Sequence, residues 1–371
     1  MYKYISFLSK LISYIIPQSD NLLVFTSFPD YTDNAYAIYK YIKERYSNNY
    51  RCIWLLVDKK YNNKDADAPM VYRFSLKGLW YYYRAKYVFC THGVNTAFIL
   101  HQKNKIVNLW HGMPLKTIGS LDPSSGGYNP TTADYLVATS PFFQDIMSRA
   151  FNNMNLKYVP VVGQPRNDLL FENTTFFEDY RIDRDRYSQI GIWLPTYRSA
   201  IVGDVRVDGR YQEGTISFLT EKDLEVLNTS LVENKTLLLV KLHPMDILQE
   251  YEFEHYSNIL ILKQKDFRGQ LYPLLGNCDF LLTDYSSVWL DYEILNKPIG
   301  FVMNDIDEYK NSRGLLIDNL EELLPGPILE SVEKLNKFIE NPSITIKNRF
   351  DLFNIYKDNK SCQRLAEFLK L

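Results

Sequence analysis

Phe280-Leu281-Leu282-Thr283-Asp284-Tyr285-Ser286-Ser287-Val288-Trp289-Leu290-Asp291-Tyr292-Glu293-Ile294-Leu295-Asn296-Lys297-Pro298-Ile299 is the stretch whose reading decides the fold. Phe280–Thr283 is a short, unbroken apolar run, the pattern of a buried parallel strand. Asp284 to Ser287 supplies turn and N-cap chemistry. From Val288 the apolar spacing turns helical, with Leu290, Ile294 and Leu295 on one side, and Asn296 with Pro298 stops it. A strand that passes through two serines into a helix presents backbone N–H groups and a positive dipole end at the sheet's carboxyl edge. That edge suits an anion, most often a phosphate. The plain alternative is a capped helix in an ordinary α/β fold.

The same alternation recurs along the chain. Apolar runs fall at Leu22–Phe25, Cys52–Val57, Tyr87–Cys90, Ile106–Trp110, Tyr135–Ala138 and Tyr158–Val162. A second series follows at Gln189–Leu194, Thr236–Leu242, Ile259–Leu262, Cys278–Thr283, Pro298–Val302 and Leu315–Ile317. Strands separated by helical stretches predict parallel sheets wound on both faces, and two series predict two sheets. The charged interval Glu172–Arg186 reads as the linker between them.

Length agrees, since 371 residues exceed one ordinary core. Domain limits are placed at 18–175 for an acceptor- and membrane-side domain and at 187–350 for a donor-binding domain. Residues 351–371 are read as a C-terminal helix that packs back on the first domain. A net charge of −2 provides no basic field for nucleic acid. The four cysteines are scattered without a CxxC pair, which points to a reduced protein without a metal framework. An aromatic share of 15% with 29 tyrosines is high and asks for a structural reason.

No apolar run reaches the ~18 residues that span a bilayer. Residues 1–17 form an amphipathic segment closed by Pro17, with Leu8, Leu11, Ile12 and Ile15 on one face. It either docks on the domain's own core or lies in a membrane interface. Lys77 to Tyr87, rich in aromatics and cations, is a second interfacial candidate or a half-buried helix.

Chemistry collects at the predicted strand ends, where doubly wound sheets bind ligands. His111 follows a strand and precedes Gly112, which fits a general base at a cleft rim or a packed imidazole. The long Gly/Pro/Ser-rich run Gly119–Thr132 reads as a functional lid or a disordered loop. His243, pinned by Pro244, and Arg198, after Leu194-Pro195-Thr196, suit phosphate recognition, though Arg198 also reads as a solvated loop cation. His92, His101 and His255 are left as structural or surface histidines. The chain has no HExxH, P-loop or GxGxxG. A divalent cation is compatible with phosphate chemistry here, but the sequence shows no protein metal site and calls for no cofactor.

Trp110-His111-Gly112-Met113-Pro114-Leu115-Lys116, Gly163-Gln164-Pro165-Arg166-Asn167-Asp168, Leu194-Pro195-Thr196-Tyr197-Arg198, Lys241-Leu242-His243-Pro244 and Thr283-Asp284-Tyr285-Ser286-Ser287 through Asp291 together resemble the CDP-glycerol glycerophosphotransferase family of teichoic-acid primases, polymerases and related capsule enzymes. The resemblance runs in order from about Leu22 to Gly326. It implies a GT-B-like fold, two doubly wound parallel-sheet domains facing a central cleft. It implies transfer of glycerol phosphate or ribitol phosphate from CDP-glycerol or CDP-ribitol to a lipid-linked glycan or growing polymer, with release of CMP. His111 and His243 become the catalytic candidates; Arg198, Thr196, Ser286, Ser287, Asp284, Asp291 and Arg166 become the substrate-binding ones. The implied setting is the cytoplasmic face of the cell membrane, as a peripheral protein. Met113 stands where the family usually has Thr, and Leu290 where it often has Phe. The rivals are a GT-B glycosyltransferase using a nucleotide sugar and a non-catalytic, membrane-bound scaffold.

Overall fold

The structure, a computed structural model, describes residues 2–61, 66–94, 103–197, 215–317, 319–345 and 350–371. The chain divides into two compact units. The first comprises Met1–Met113, Ile118–Leu169 and Asp351–Leu371; the second comprises Pro114–Thr117 and Leu170–Phe350.

In the first unit six parallel strands lie in the order β3-β2-β1-β4-β5-β6. They are β1 (Leu22–Thr26), β2 (Arg51–Leu56), β3 (Met70–Tyr72), β4 (Tyr87–Cys90), β5 (Lys105–Asn108) and β6 (Tyr135–Leu136). The order reverses between β1 and β4, so a ligand crevice belongs outside the carboxyl ends of those two strands. The excess of aromatics has its reason here. Phe25 of β1 stacks on Trp54 of β2 at 6.0 Å and on Phe89 of β4 at 5.1 Å. The parallel register sets these three residues side by side on one face. Tyr39 of helix α2 (Asp33–Tyr46) closes the row edge-on at 5.4 Å.

Helix α1 (Tyr2–Ile15) corrects the predicted apolar face. Ser9 and Ser13 are buried, and the Ser9 hydroxyl meets Tyr83 OH at 2.6 Å. Ile12 and Ile16 pack on the first unit's core beside them. Leu11 and Ile15, expected on the same face as Ile12, are exposed together with Phe7 and Tyr14; the Leu8 side chain lies outside the described residues. The Ser9–Tyr83 contact ties α1 to helix α3 (Leu76–Arg84), so the inward face carries Ser9, Ile12, Ser13 and Ile16. The run Tyr158–Val162 forms no strand. It is a 3₁₀ turn followed by one bridge, Ala138 to Val161.

Helix α4 (Pro141–Ala150) is capped by Ser140, whose hydroxyl accepts the Phe143 N–H. The C-terminal helix Ser361–Leu369 belongs to the first unit. The Asp168 carboxylate accepts the Ser361 and Cys362 N–H groups at 2.8 Å each, and Leu369 O accepts the Tyr87 hydroxyl at 2.9 Å.

The second unit has five parallel strands in the order β11-β10-β7-β8-β9. They are β7 (Gln189–Trp193), β8 (Thr236–Lys241), β9 (Ile259–Leu262), β10 (Phe280–Thr283) and β11 (Ile299–Phe301). Its order reverses between β7 and β10, which places that crevice at Thr196 and Asp284. Gly191 of β7 faces Phe280 of β10 so closely that a Cβ would stand 2.1 Å from the ring. The interval Glu172–Arg186 is not a bare linker: helix α5 (Phe176–Asp179) buries Phe176 and Phe177 within the second unit. Helix α6 (Glu221–Glu233) opens with a capping box between Thr220 and Asp223. Helix α7 (Leu271–Asn277) precedes β10. The predicted strand Leu315–Ile317 is a single antiparallel bridge to Lys116, and it holds Pro114–Thr117 on the second unit. Among the described residues, no helix is long and apolar enough to cross a membrane.

Candidate active site

The first unit's chemistry begins where β5 ends. Leu109 is fully buried, and Trp110 takes φ +56°, a left-handed backbone that a tryptophan rarely adopts. Its carbonyl accepts from Asn34 Nδ2 at 3.0 Å, and its N–H donates to Asn108 Oδ1 at 3.0 Å. Gly112, at φ +128°, lets the chain leave without a Cβ penalty. Between them the His111 ring reaches the surface. His111 Nδ1 lies 3.2 Å from Thr91 O. A carbonyl only accepts, so Nδ1 carries the hydrogen and Nε2 the lone pair.

His92, to which sequence reasoning gave no role, stacks on His111 with ring centroids 4.2 Å apart and planes within 7°. Two imidazolium rings in that arrangement repel. Crowding by protein atoms, then the His111 charge, push the His92 pKa below the ordinary histidine value, by an amount its solvent exposure limits. His92 is therefore neutral at pH 7, and a proton gained by His111 meets no opposing charge from it. The signal was present in sequence: Thr91-His92-Gly93 repeats the strand-end His-Gly pattern of His111-Gly112.

Arg166, implied as a substrate-binding residue, sits in a buried ion pair. Its guanidinium pairs with Asp33 at 2.9 Å, with the two side chains 7% and 16% exposed. Its N–H donates to Asn34 Oδ1 at 2.9 Å. Gln164 Oε1 also accepts from Asn34 Nδ2, at 2.5 Å. The motif Gly163–Asp168 thus holds the start of α2 and, through Asp168, the C-terminal helix.

In the second unit Asp284 is buried at 2% exposure. Its carboxylate accepts the Thr196 N–H at 3.1 and 3.0 Å and also the Thr196 hydroxyl. Asp284 therefore ties the end of β10 to the end of β7 across the switch point. Asp291, equally buried, accepts from Tyr272 OH at 2.6 Å and anchors helix α8 (Val288–Tyr292) to α7. That helix is shorter than predicted: five residues, then a 3₁₀ turn ended by Asn296 at φ +52°. Neither serine acts as a regular cap. Ser286 Oγ accepts the Val288 N–H at 3.4 Å, and Ser287 makes no side-chain cap. So short a helix contributes little dipole, and the weight falls on the half-buried hydroxyls of Ser286 and Ser287.

His243 follows β8, in the neighbouring strand position. Its Nδ1 accepts the Met245 N–H at 3.1 Å, which leaves the hydrogen on Nε2 in the neutral ring. Tyr197 packs beside it at 4.7 Å. Burial, then the charges of Lys241 and Lys116, push the His243 pKa down to about 4. Lys241 is itself buried, donating to Gln264 Oε1 at 2.9 Å, and burial lowers it to about 8. Lys116 lies over the Tyr309 ring at 5.1 Å. The second unit thus sets His243 beside Tyr197 and within the field of two cations, Lys241 and Lys116. Lys116 and Lys241 stood inside the quoted motifs but were given no role. Arg198 lies outside the described residues.

The family pattern of CDP-Glycerol:Poly(glycerophosphate) glycerophosphotransferases matches residues 8–371. The chain belongs to this family. It is 28% identical to a teichoic acid poly(glycerol phosphate) polymerase of Bacillus spizizenii, over 99% of this chain and 98% of that protein. It is 28% identical to a teichoic acid glycerol-phosphate transferase of Staphylococcus aureus, over 94% and 92%. A solved structure of the wall teichoic acid polymerase TagF superposes with a TM-score of 0.81 at 25% identity, covering 100% of this chain and 93% of that one. The GT-B-like fold of this glycerophosphotransferase family member is therefore shared with TagF. The family places the chain among phosphotransferases rather than nucleotide-sugar glycosyltransferases or scaffolds.

Proposed function

We propose that this glycerophosphotransferase transfers glycerol phosphate or ribitol phosphate from a CDP-alditol to a hydroxyl of a lipid-linked teichoic-acid-like or capsule acceptor. The observation that carries this reading is the whole-chain match to the family. The relatives include both glycerol-phosphate and ribitol-phosphate enzymes, so both donors stay in the proposal. The acceptor oxygen attacks the β-phosphorus and gives its proton to His111 Nε2. The bond from that phosphorus to the bridging oxygen breaks, and CMP leaves with the electron pair. Thr196, Ser286, Ser287 and His243 Nε2–H donate to the diphosphate, Arg198 is assigned there from the motif alone, and Lys116 and Lys241 supply positive field. Incubation with CDP-glycerol, CDP-ribitol and UDP-sugars tests the proposal: CMP release from a CDP-alditol supports it, and UDP or UMP release alone overturns it.

Donor binding carries a proton signature. Burial pushes the unliganded His243 pKa down to about 4, so it is neutral across pH 5–6.5; a bound diphosphate stabilises the imidazolium, whose new proton sits on Nδ1 and displaces the Met245 N–H. Calorimetry at pH 5.5 in buffers of different ionisation heat is expected to show uptake of up to about one proton, lost in His243→Gln. The sign for stability follows. Because the folded pKa lies below the ordinary ~6.5, His243 costs unliganded stability as pH falls from ~6.5 toward 4. Equal heats in all buffers would make His243 a neutral donor throughout.

The membrane contact is assigned to the outward face of α1. Phe7, Leu11, Tyr14 and Ile15 are exposed there, and Leu76 and Trp80 are exposed on α3. Leu11→Glu/Ile15→Glu is expected to lower binding to phosphatidylglycerol vesicles by roughly tenfold or more without lowering the melting temperature. Ile12→Glu, by contrast, strikes the core and lowers melting. Vesicle binding untouched by the double variant removes α1 from the interface.

A further inference from the structure

The first unit has a cavity of about 380 Å³ outside the carboxyl ends of β1, β2 and β4, at its own switch point. Thr26, Phe28, Val57, Arg73, His92 and Gly93 are among its lining residues. The volume falls in the range of small-molecule sites. Two of its polar groups lack partners. Thr26 is 8% exposed, and its hydroxyl makes no hydrogen bond. Arg73 Nε is buried and makes no hydrogen bond, and the guanidinium's charge acts on the nearby Asp30 carboxylate. The Arg73 stem is nonetheless fixed: its N–H donates to Leu56 O at 3.1 Å, and its guanidinium lies over the Phe74 ring at 4.7 Å. Unsatisfied buried polar groups are costly, and a fixed arginine beside a free hydroxyl is arranged for an anion.

The surrounding charges permit this. The nearby Asp30 carboxylate accepts the N–H groups of Val57 and Asp58, at 2.8 and 2.7 Å, and burial raises its pKa against these bonds and the Arg73 charge, so it leaves the arginine only partly neutralised. Asp58 is exposed. The apolar slot beneath, lined by Leu55, Leu79, Tyr82 and Val88, holds only about 40 Å³, too little for a ring or a prenyl chain. β1 ends at Thr26 and is followed by Ser27-Phe28 without a glycine fingerprint, which argues against a dinucleotide.

We propose that this cavity binds a phosphorylated polyol, with Arg73 and Thr26 holding the phosphate and the Phe28 and Val57 walls against the carbon chain. Resting on the proposed function, the ligand is an alditol phosphate already present on the acceptor, so the site favours acceptors that carry one. Arg73 and Thr26 are positioning residues, apart from the His111 base and the donor residues.

The full-length protein, with CDP saturating the donor site, is titrated with sn-glycerol 3-phosphate, inorganic phosphate and glycerol. Glycerol 3-phosphate is expected to saturate, phosphate to bind more weakly, and glycerol not at all. Arg73→Gln should weaken glycerol 3-phosphate at least tenfold and Thr26→Val severalfold, with Arg73→Lys between, while melting and CDP-glycerol affinity hold. In turnover, Arg73→Gln should raise KM for a phosphodiester-bearing acceptor and leave that for a neutral acceptor unchanged. Absence of saturable binding, or binding indifferent to both substitutions, overturns the site. Equal affinity for phosphate and glycerol 3-phosphate overturns its polyol selectivity. Arg73-dependent binding in a protein that releases no CMP from any CDP-alditol keeps the site and overturns the proposed function instead.

Discussion

His111→Ala is expected to slow CMP release by roughly 10²–10⁴-fold, the contribution of a placed general base, with CDP-glycerol affinity nearly unchanged. The split follows from where the residues belong. His111 sits on the first unit, whereas Thr196, His243, Ser286 and Ser287 belong to the second. The tautomer makes the prediction specific. Thr91 O fixes the hydrogen on Nδ1, so Nε2 is the basic atom. His111→Gln keeps hydrogen bonding at the site but cannot take a proton, and it should be as slow as the alanine variant. Single-turnover rates and donor affinity on both variants decide the matter. Loss of donor affinity alongside rate would make His111 a phosphate ligand, and an undiminished rate would remove it from the chemistry.

The two sheets were legible because buried parallel strands read as continuous apolar runs. Phe280–Thr283 is one such run, and every residue of it is buried. β3 escaped because Met70–Tyr72 is three residues long at the sheet edge and only half-buried, with no run to see. Tyr158–Val162 and Leu315–Ile317 looked like strands because apolar character alone does not distinguish a buried bridge from a strand. The α1 face was misread for a related reason. Apolar residues lie on both sides of that helix, and only tertiary contact reveals that Ser9 and Ser13 are the buried pair.

Site residues followed the same divide. The strand-end placement of His111 and His243 was visible because a histidine after an apolar strand and before Gly or Pro is a local pattern. Their tautomers depend on Thr91 O and Met245 N, and only the first needs a contact distant in sequence. The ion pair of Arg166 was invisible because its partner Asp33 lies 133 positions away. Asp284 looked like a turn residue, and its bond to Thr196 spans 88 positions. Long-range polar pairs have no periodicity, so the role of such a residue stays hidden until the fold joins it to its partner.

Asp284→Ala should therefore unfold the second unit's crevice more than any change to a serine beside it. The substitution leaves the buried Thr196 N–H without the carboxylate it donates to and the Thr196 hydroxyl without its acceptor. Hydrogen bonds to a charged group are worth ~1.5–3 kcal/mol each, so a loss of roughly 3 kcal/mol is expected, or on the order of 6–12 °C in melting. Donor affinity should fall with it, because the ends of β7 and β10 that carry Thr196 and Ser286-Ser287 are no longer joined. Asp284→Asn separates this latch from direct contact with substrate. An amide oxygen still accepts from Thr196, so the latch predicts a small loss of melting temperature and modestly weaker donor binding. A carboxylate touching the diphosphate would instead repel it, and neutralising that charge would tighten the donor. Calorimetry on Asp284→Asn reads the sign. Tighter binding would make Asp284 a direct neighbour of the phosphates, and an unshifted melting temperature in Asp284→Ala would show that other contacts hold the two strand ends together.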